Sequence, residues 1–319
     1  MLKEALGISV LLVSYNHEKH IRQALDALFR QVFDGPIELV VADDKSSDNT
    51  LSIIKEYVDV DPRFRFKYLD YNENLGITKN YERGFKACTF EFVAVLEGDD
   101  YWTSPRKLQR QADFLAEHWE SDVCSVNYYV FEEDSAQLSP RVPASTGHRF
   151  ISARELIADN TVGNFSTCMY RRSALVRLPE GLFDIKSYDW ITNIVLARNS
   201  LIGFLEEPMS VYRLHGGGVW TQTPHVDKLK AQLEALPAYD ALTDYVFHED
   251  FERLSSHLRH AITVSQFGYV AESVGQPVFR VIPTLVNYLP PIFIMVIKLL
   301  LPVAVKNVFA RVIKRSRSV

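Results

Sequence analysis

Two groups of carboxylates stand directly after short apolar runs of the sequence. Asp43 and Asp44 follow IELVVA, and Glu97, Asp99 and Asp100 follow EFVAVL. Carboxylates this close repel one another unless a cation or a hydrogen-bonding ligand offsets their charge. Hard divalent ions such as Mg²⁺ or Mn²⁺ prefer oxygen ligands, and a diphosphate would complete such a site. The Asp43–Asp44 pair alone would suggest a turn or a helix cap, but both groups together favour a binding site.

The residues around these acids alternate between the periodicities of strands and helices. The β-rich runs are Ile8–Val13, Glu38–Ala42, Phe64–Leu69, Phe92–Leu96 and Val123–Val130. The helix-like stretches are about 17–31, 47–58, 78–87 and 105–118. This alternation predicts an α/β fold with a mostly parallel central sheet flanked by helices. Ligands gather at the carboxyl ends of such strands, so we expect both acidic groups on one edge of the sheet.

Two of the helix starts carry capping residues. We expect Ser46 or Ser47 to cap the second helix, with Asp48 in its first turn. Ser104 followed by Pro105 is typical of an N-cap and the first helical position, so the fourth helix should begin there.

The remaining chain is less periodic. Residues 131–150 gain Pro and Ser, which indicates a loop or a short hairpin leading to a second subregion. Two further helices are expected within about 225–271. We therefore divide the chain into three parts, 1–130, 131–224 and 225–319, and treat the tail from about 281 to 319 separately.

The charge of this chain is distributed unevenly. Residues 273–319 contain seven Lys or Arg and no acid, so the rest carries −12 although the whole chain carries −5. An acidic body argues against nucleic-acid binding. Three widely spaced cysteines favour a reduced compartment over a disulfide framework. The first residues resemble a core strand rather than a signal peptide.

The tail is apolar, is interrupted by four prolines and ends in basic residues. Its unbroken apolar run, Ile292–Val305, contains Lys298 and Pro302 and is too short for a membrane-spanning helix. An interfacial anchor on an anionic membrane surface fits this composition better. A C-terminal helix packed on the body of the protein is the alternative.

Three motifs in sequence order carry a resemblance to a known family. ISVLLVSYNHEKH, NENLGITKNYERG and FVAVLEGDDYWTSPRKLQRQADFL resemble a family 2 glycosyltransferase with the GT-A fold. The match runs through about residues 7–120, and weaker similarity continues through SYDWITNIVLA and VYRLHGGGVW. The resemblance implies that 1–130 is the nucleotide-sugar-binding half of the domain and that 131–224 is the acceptor-binding half. It does not cover the tail, and 225–319 is expected from its own composition to be a helical region carrying the membrane-surface tail.

The resemblance assigns the nucleotide to the ends of the first two strands. Val13, Ser14 and Tyr15 would line the base. Asp44 would accept a hydrogen bond from the uracil N3–H or from a neighbouring base or ribose group, with Asp43 close by.

The resemblance also implies roles around the third motif. LEGDD, which includes Glu97 and Gly98, occupies the place of the family's DxD motif. Asp99 is therefore implied as the metal ligand, with Asp100 beside it contacting the ribose, the metal shell or the donor sugar. Lys79 would reach the base or the phosphates, or would simply lie on the surface.

The carboxylate that the family uses as its base corresponds to Asp189, in SYDW. It would take the proton of the attacking acceptor hydroxyl. Tyr188 and Trp190 offer apolar surface for sugar stacking, although core packing explains Trp190 equally well. Asn164 and Ser166 are further polar candidates for the acceptor side.

His215 precedes three glycines and is a candidate for completing the metal or diphosphate site; an ordinary loop histidine is the alternative. The implied cofactor is Mn²⁺ or Mg²⁺, which would stabilise the departing nucleoside diphosphate as a Lewis acid.

The sequence thus predicts an inverting, metal-dependent glycosyltransferase that uses a nucleotide-sugar, a UDP-sugar in the first instance. The expected acceptor is an oligosaccharide or is lipid-linked, in bacterial O-antigen or capsule synthesis, and the expected location is cytoplasmic, peripheral on the inner face of the membrane. Homo-oligomerisation is left open. A catalytically silent nucleotide-sugar-binding or scaffolding protein with the same fold is the alternative. A dinucleotide-dependent oxidoreductase is disfavoured because the first strand is followed by SYNHEKH rather than by a GxGxxG turn.

Overall fold

The computed structural model describes residues 6–70, 72–186, 188–218 and 223–273, with side chains up to residue 265. The chain forms two compact units, one ending at Ser256 and the other beginning at His257. The described part of the second unit is helical. The predicted membrane-surface tail lies outside the described residues, and the three-part division of the chain stays a prediction.

Ten strands in the described residues form one sheet, in the order β3-β2-β1-β4-β9-β6-β10-β5, with β7 paired to β6 and β8 to β10. The strands are β1 Ile8–Ser14, β2 Ile37–Asp43, β3 Phe64–Tyr68, β4 Phe92–Glu97, β5 Tyr101–Trp102, β6 Ser121–Glu132, β7 Gln137–Pro140, β8 His148–Ile151, β9 Cys168–Arg171 and β10 Leu201–Leu214.

The α/β prediction is confirmed, but the sheet is mixed rather than mostly parallel. β3, β2, β1 and β4 are parallel, and so are β6 and β10. Between these two groups β9 lies antiparallel to both β4 and β6. The expected short hairpin after residue 131 is formed by β6 and β7.

Nine α-helices occur in the described residues, and none of them combines the length and apolarity that crossing a membrane requires. They are α1 Ile21–Phe29, α2 Thr50–Lys55, α3 Ile77–Ala87, α4 Lys107–Glu117, α5 Ala153–Ala158, α6 Arg172–Leu175, α7 Asp189–Leu196, α8 His225–Leu242 and α9 His248–Ser273.

The core lies on the parallel part of the sheet. Every residue of β1 is buried, because helices cover both faces of a parallel sheet and the strand can be apolar along its whole length. Helix α1 contributes one face to this core, through Ile21, Ala24, Leu25 and Leu28. Burying each of the isoleucine and leucine side chains stabilises the fold by about 1.5–3 kcal/mol, which fixes the strand ends that carry the site.

The predicted helix caps are wrong. Helix α2 begins at Thr50, and Asp48 precedes it, accepting hydrogen bonds from the Thr50 amide and hydroxyl. Ser46 instead donates its hydroxyl to Asp43, so it serves the strand end rather than the helix. Helix α4 begins at Lys107, later than Ser104 and Pro105 suggest, because those residues form a preceding turn.

Candidate active site

The two acidic groups lie on the same edge of the sheet, as predicted. In the register of the parallel strands, Ser14 pairs with Asp43 and Val13 pairs with Glu97. The chain therefore delivers both groups to the carboxyl ends of adjacent strands, where ligands bind in open α/β sheets.

Gly98 lies where two segments approach closely, and its predicted contact with the nucleotide-sugar stays a prediction. Its amide donates to the Val13 carbonyl at 2.8 Å. A Cβ atom at this position would lie 2.8 Å from His17 Nδ1 and 2.9 Å from Ile21 Cδ1. The turn after β4 is therefore pressed against the start of α1, which brings His17 to the acidic group.

Glu97 is held from three sides by side chains of the protein. Its Oε1 accepts from the Tyr81 hydroxyl at 2.5 Å, and its Oε2 accepts from Asn164 Nδ2 at 2.7 Å and from the Ser166 hydroxyl at 3.4 Å. Burial, followed by the charges of Asp100 and Asp99, raises the pKa of Glu97 well above its usual value. Glu97 therefore links β4 to α3 and to the segment before β9, and these hydrogen bonds fix the end of β4.

Asp99 is the carboxylate that faces histidines. Its Oδ2 lies 3.1 Å from His215 Nε2 and 3.8 Å from His17 Nε2. Burial alone would raise the pKa of Asp99, but the hydrogen bond from His215 and the charges of His17 and His215 bring the pKa below its usual value. Asp99 is thus an ionised carboxylate with imidazole nitrogens beside it.

Asp100 is buried beneath Asp99, with 2% of its surface exposed. Its Oδ1 accepts from the backbone N–H of Arg213 at 2.9 Å, and its Oδ2 accepts from Asn164 Nδ2 at 2.5 Å. Burial, followed by the charge of Asp99, raises the pKa of Asp100 to about 7. Both oxygens are used within the protein, so Asp99 is the better placed of the two predicted metal ligands.

His215 lies at the centre of a group of possible cation ligands. His20, Glu133 and His215 offer ligand atoms that all lie within 4.8 Å of one another. The rings of His20 and His215 are in edge contact, with centroids 4.6 Å apart. A backbone N–H from Gly217 donates to His215 Nδ1 at 3.2 Å, which leaves Nε2 facing Asp99. The Asp99 carboxylate is the type of ligand that Mn²⁺ and Mg²⁺ prefer. His215 could join it at such an ion only after Nε2 releases its hydrogen bond to Asp99.

Asp43 and Asp44 are both engaged by neighbouring segments. Asp43 accepts the hydroxyl groups of Ser14 at 2.8 Å and Ser46 at 2.6 Å. The two oxygens of Asp44 accept the backbone N–H groups of Leu75 at 2.8 Å and Gly76 at 2.9 Å. Each carboxylate oxygen keeps a second lone pair, so base recognition by Asp44 stays a prediction, but its visible task is to anchor the loop before α3.

A cavity of about 110 Å³ opens beside Asp43 and is lined in part by Lys45 and Tyr68. The Tyr68 hydroxyl is buried and has no partner among the described residues. Tyr15 is 49% exposed, whereas Val13 is buried, so of these two only Tyr15 offers surface to a nucleotide without rearrangement.

Lys79 has a different environment from the one expected of a phosphate ligand. Its ammonium pairs with Glu82 at 2.9 Å and with Asp184 at 2.7 Å. A contact with donor phosphates would require Lys79 to leave both carboxylates, and the surface alternative fits these ion pairs better.

Asp189 is the first residue of α7. Its Oδ2 accepts a hydrogen bond from Asn160 Nδ2 at 3.0 Å. Burial raises the pKa of Asp189 to about 6, and the hydrogen bond from Asn160 limits this rise. Its charge also acts on Glu97 and Tyr81, so Asp189 lies within electrostatic range of the acidic group. A carboxylate of this kind is ionised at neutral pH yet more basic than an exposed one.

The other residues predicted for the acceptor side are used largely within the protein. Trp190 donates its indole N–H to the Leu156 carbonyl at 2.7 Å and contacts Tyr239 edge-on, which matches the packing alternative. Ser166 is fully buried and accepts from the Glu97 amide at 3.0 Å, so it supports the acidic group instead of meeting an acceptor. Tyr188 precedes α7 and is half-buried, and its acceptor role stays a prediction.

Sequence reasoning missed six side chains of this site. They are His17, His20, Tyr81, Glu133, Asn160 and Arg213. Tyr81 could have been found from its spacing with Phe85, which places both on the inward face of α3. His17 lies in the motif ISVLLVSYNHEKH, from which we predicted roles only for the strand and the residues at its end. Nothing in the local sequence marks Asn160 or Arg213, because their partners lie far away along the chain.

The fold and this site together define a glycosyltransferase class, and comparison with known proteins gives the family. Residues 9–178, more than half of the chain, match the family described as glycosyl transferase family 2. The chain belongs to this family. An uncharacterized protein of Mycobacterium tuberculosis is 35% identical over 70% of this chain and 63% of its own length. The match thus spans less than two thirds of that relative.

Solved structures share the fold at low identity. TarS of S. aureus in complex with UDP-GlcNAc aligns with a TM-score of 0.55 and 22% identity, over 74% of this chain and 66% of TarS. The mannosyltransferase PcManGT of Pyrobaculum calidifontis, in complex with GDP-Man and Mn²⁺, aligns with a TM-score of 0.53 and 15% identity, over 86% of this chain and 81% of that protein. The predicted GT-A fold is confirmed by these similarities.

Proposed function

We propose that this protein is an inverting glycosyltransferase that moves a sugar from a nucleotide-sugar, a UDP-sugar in the first instance, to an acceptor hydroxyl. The observation that carries the proposal is Asp189, a half-buried carboxylate at the start of α7 that accepts a hydrogen bond from Asn160 and whose pKa is raised to about 6. One side of the site offers a base, and the other offers groups that bind a cation and a diphosphate.

The base acts on the acceptor. Asp189 takes the proton of the attacking hydroxyl, and its raised pKa makes it a stronger base than an exposed aspartate while it remains ionised at neutral pH. The hydroxyl attacks the anomeric carbon from the face opposite the leaving diphosphate. A single displacement of this kind inverts the anomeric centre.

The donor side is built around Asp99 and His215, which would hold Mn²⁺ or Mg²⁺. When bound, the ion would act as a Lewis acid that stabilises the charge of the leaving diphosphate. The Mn²⁺ in the PcManGT complex and the UDP-sugar in the TarS complex support this assignment by analogy of fold. Asp100 and Glu97 keep Asp99 in place through their hydrogen bonds to Asn164.

We also propose an oligosaccharide or lipid-linked acceptor in the synthesis of a bacterial surface polysaccharide such as O-antigen or capsule. The support is compositional: the tail after residue 273 is basic and apolar, as expected for a protein lying on the inner face of an anionic membrane.

The test compares Asp189→Asn with the wild type in two assays, sugar transfer and donor binding in the presence of Mn²⁺. We expect transfer to fall by about 10²–10⁴-fold, the usual contribution of a general base, while UDP affinity changes less than about twofold. Asp113→Asn, on the exposed face of α4, is the matched control and should behave as wild type. Transfer preserved in Asp189→Asn would rule out this residue as the base.

A second experiment tests the donor. UDP-, GDP- and TDP-sugars are scored for nucleotide release and for thermal stabilisation with Mn²⁺ or Mg²⁺. Release of UDP above the others would support the uridine assignment, and preference for GDP or TDP would overturn it. Binding without any transfer to any acceptor would favour the silent binding protein.

A further inference from the structure

Two asparagines on one short connection reach the two sides of the site. Asn160 and Asn164 lie between α5 and β9. The side-chain amide of Asn160 donates to Asp189 Oδ2 at 3.0 Å. The side-chain amide of Asn164 donates to Glu97 at 2.7 Å and to Asp100 at 2.5 Å. The same few residues thus contact both the acceptor-side base and the donor-side carboxylates.

Both asparagines have one unsatisfied end. The side-chain oxygen Oδ1 of each is buried and has no hydrogen-bond partner among the described residues. Asn193 shows what an asparagine that serves the fold looks like here: its Oδ1 accepts from the Tyr170 hydroxyl at 2.9 Å, and its Nδ2 faces Cys168 Sγ at 3.7 Å. A buried polar atom without a partner lowers the free energy of unfolding. The Oδ1 of Asn160 therefore reduces stability, while its Nδ2 donates to Asp189.

The connection that carries Asn160 is shaped to hold it. Gly163 has a φ of +84°, and a Cβ atom there would lie 2.5 Å from the Tyr128 ring. The carbonyl of Val162 accepts the hydroxyl groups of Ser125 at 2.9 Å and Thr167 at 2.8 Å. Asn160 is therefore presented to Asp189 from an anchored segment rather than from a free loop.

We propose that Asn160 is the positioning residue of Asp189. Its amide holds Oδ2 of the carboxylate and leaves the other oxygen available for the proton of the acceptor hydroxyl. The inference rests on the proposed role of Asp189 as the base. A second effect follows from the direction of the bond: an N–H donor stabilises the ionised form of the carboxylate, so Asn160 keeps Asp189 ready to accept a proton at neutral pH.

The other groups that face Asp189 do not supply this donation. Asp189 acts electrostatically on one carboxyl group, on a thiol and on several tyrosines, and besides the Asn160 amide its own backbone N–H lowers the pKa of Asp189. These groups are Glu97 of β4, Tyr81 of α3, Tyr128 of β6, Cys168 and Tyr170 of β9, Tyr188 before α7, Tyr212 of β10 and Tyr239 of α8. Asn160 is the side chain that the structure shows donating a hydrogen bond to it.

The experiment measures kcat/KM for transfer against pH in wild type, Asn160→Leu and Asn160→Ala. Leucine keeps the approximate volume of asparagine and removes both the donor and the unsatisfied oxygen. We expect the acidic limb of the profile, which reports the ionisation of Asp189, to move up by about one pH unit, so that transfer at pH 5.5 falls about tenfold. Part of this loss should be recovered at pH 8, and donor binding should not change.

Thermal unfolding separates positioning from a structural role. Asn160→Leu should lower the unfolding temperature less than Asn193→Leu does, because the lost donor to Asp189 is partly offset by the removal of an unsatisfied buried oxygen. Asn193→Leu is the matched control: it should lower the unfolding temperature and leave the acidic limb where it is. Asn160→Ala provides the same pH readout if leucine is not accommodated. An unmoved acidic limb in both Asn160 variants would overturn the proposal.

Asp189→Asn separates a failure of the base assignment from a failure of the positioning role of Asn160. If that variant retains transfer, the base assignment fails and the role of Asn160 fails with it. If it abolishes transfer while the Asn160 variants keep the wild-type profile, the function stands and the positioning role of Asn160 alone is refuted.

Discussion

The substitution Tyr81→Phe tests whether Glu97 is an internal support for the donor site. It removes the hydroxyl that donates to Glu97 Oε1 at 2.5 Å and keeps the ring, whose centroid lies 4.4 Å from that of Phe165. Glu97 would then be held by Asn164 and Ser166 alone. Because Glu97 fixes the end of β4, the turn that carries Asp99 should lose its fixed position.

The magnitude follows from the type of bond that is lost. Removing the hydroxyl leaves Glu97 Oε1 without this donor, which costs about 1–3 kcal/mol, and about 1 kcal/mol lowers the unfolding temperature of a domain of this size by roughly 2–4 °C. Tyr81→Phe should therefore lower the unfolding temperature by about 2–12 °C. If half of that free energy also supports the turn at Asp99, transfer falls by roughly 2–12-fold, since 1.4 kcal/mol corresponds to a factor of ten.

The chain provides a matched control for this substitution. The Tyr57 hydroxyl donates to Asp26 Oδ1 at 2.6 Å, a similar bond between α1 and the residues after α2. Tyr57→Phe should lower the unfolding temperature comparably and leave transfer and the Mn²⁺-dependent affinity for UDP unchanged. Equal transfer in the two variants would refute the supporting role of Glu97, and an unchanged unfolding temperature in Tyr81→Phe would refute the hydrogen bond itself.

Three further predictions follow from the site and its surroundings. Gly98→Ala should destabilise the protein by about 1–3 kcal/mol in denaturant unfolding and weaken the Mn²⁺-dependent affinity for UDP, because the added Cβ would collide with His17. A Cβ at Gly181 would have no neighbour within 4 Å, so Gly181→Ala is the control and should be tolerated. Wild-type transfer should fall about tenfold per pH unit below about pH 6, where Asp189 becomes protonated; a flat profile from pH 5 to 7 would contradict this. Burial lowers the pKa of Lys107 to about 7, so between about pH 7 and 10 the unfolded chain binds a proton at this residue that the folded protein does not. The free energy of unfolding of the wild type, relative to that of Lys107→Met, should therefore rise with pH over this range. A difference that does not depend on pH would contradict the burial of the amine.

Much of the donor side could be predicted because its residues are consecutive in sequence. A buried strand followed by acids places those acids at the carboxyl edge whichever partners the strand acquires, and Asp43 and Glu97 obey this rule. The pairing of β9 is different. Its four residues, Cys168–Arg171, gave no long periodic signal, and their antiparallel insertion between β4 and β6 depends on contacts with distant strands.

Side-chain roles were predicted less well than positions. Ser46, expected as a helix cap, is instead a partner of Asp43. Asp44, whose role in base recognition stays a prediction, also anchors Leu75 and Gly76. Short polar side chains bond to whichever donor the fold brings within reach, so residue type alone does not distinguish an anchor from a ligand.

Arg213 has a consequence for how the protein is made. Its backbone N–H holds Asp100, and its guanidinium bonds to the Asp99 carbonyl at 2.8 Å, to Gln23 at 2.6 Å and to Glu133 at 3.4 Å. A ribosome synthesises residues 1–130, predicted to be the nucleotide-binding half, before it reaches this arginine. On a nascent chain that ends near residue 130, Asp99 and Asp100 therefore lack their hydrogen bonds with Arg213, which form only once β10 has been made.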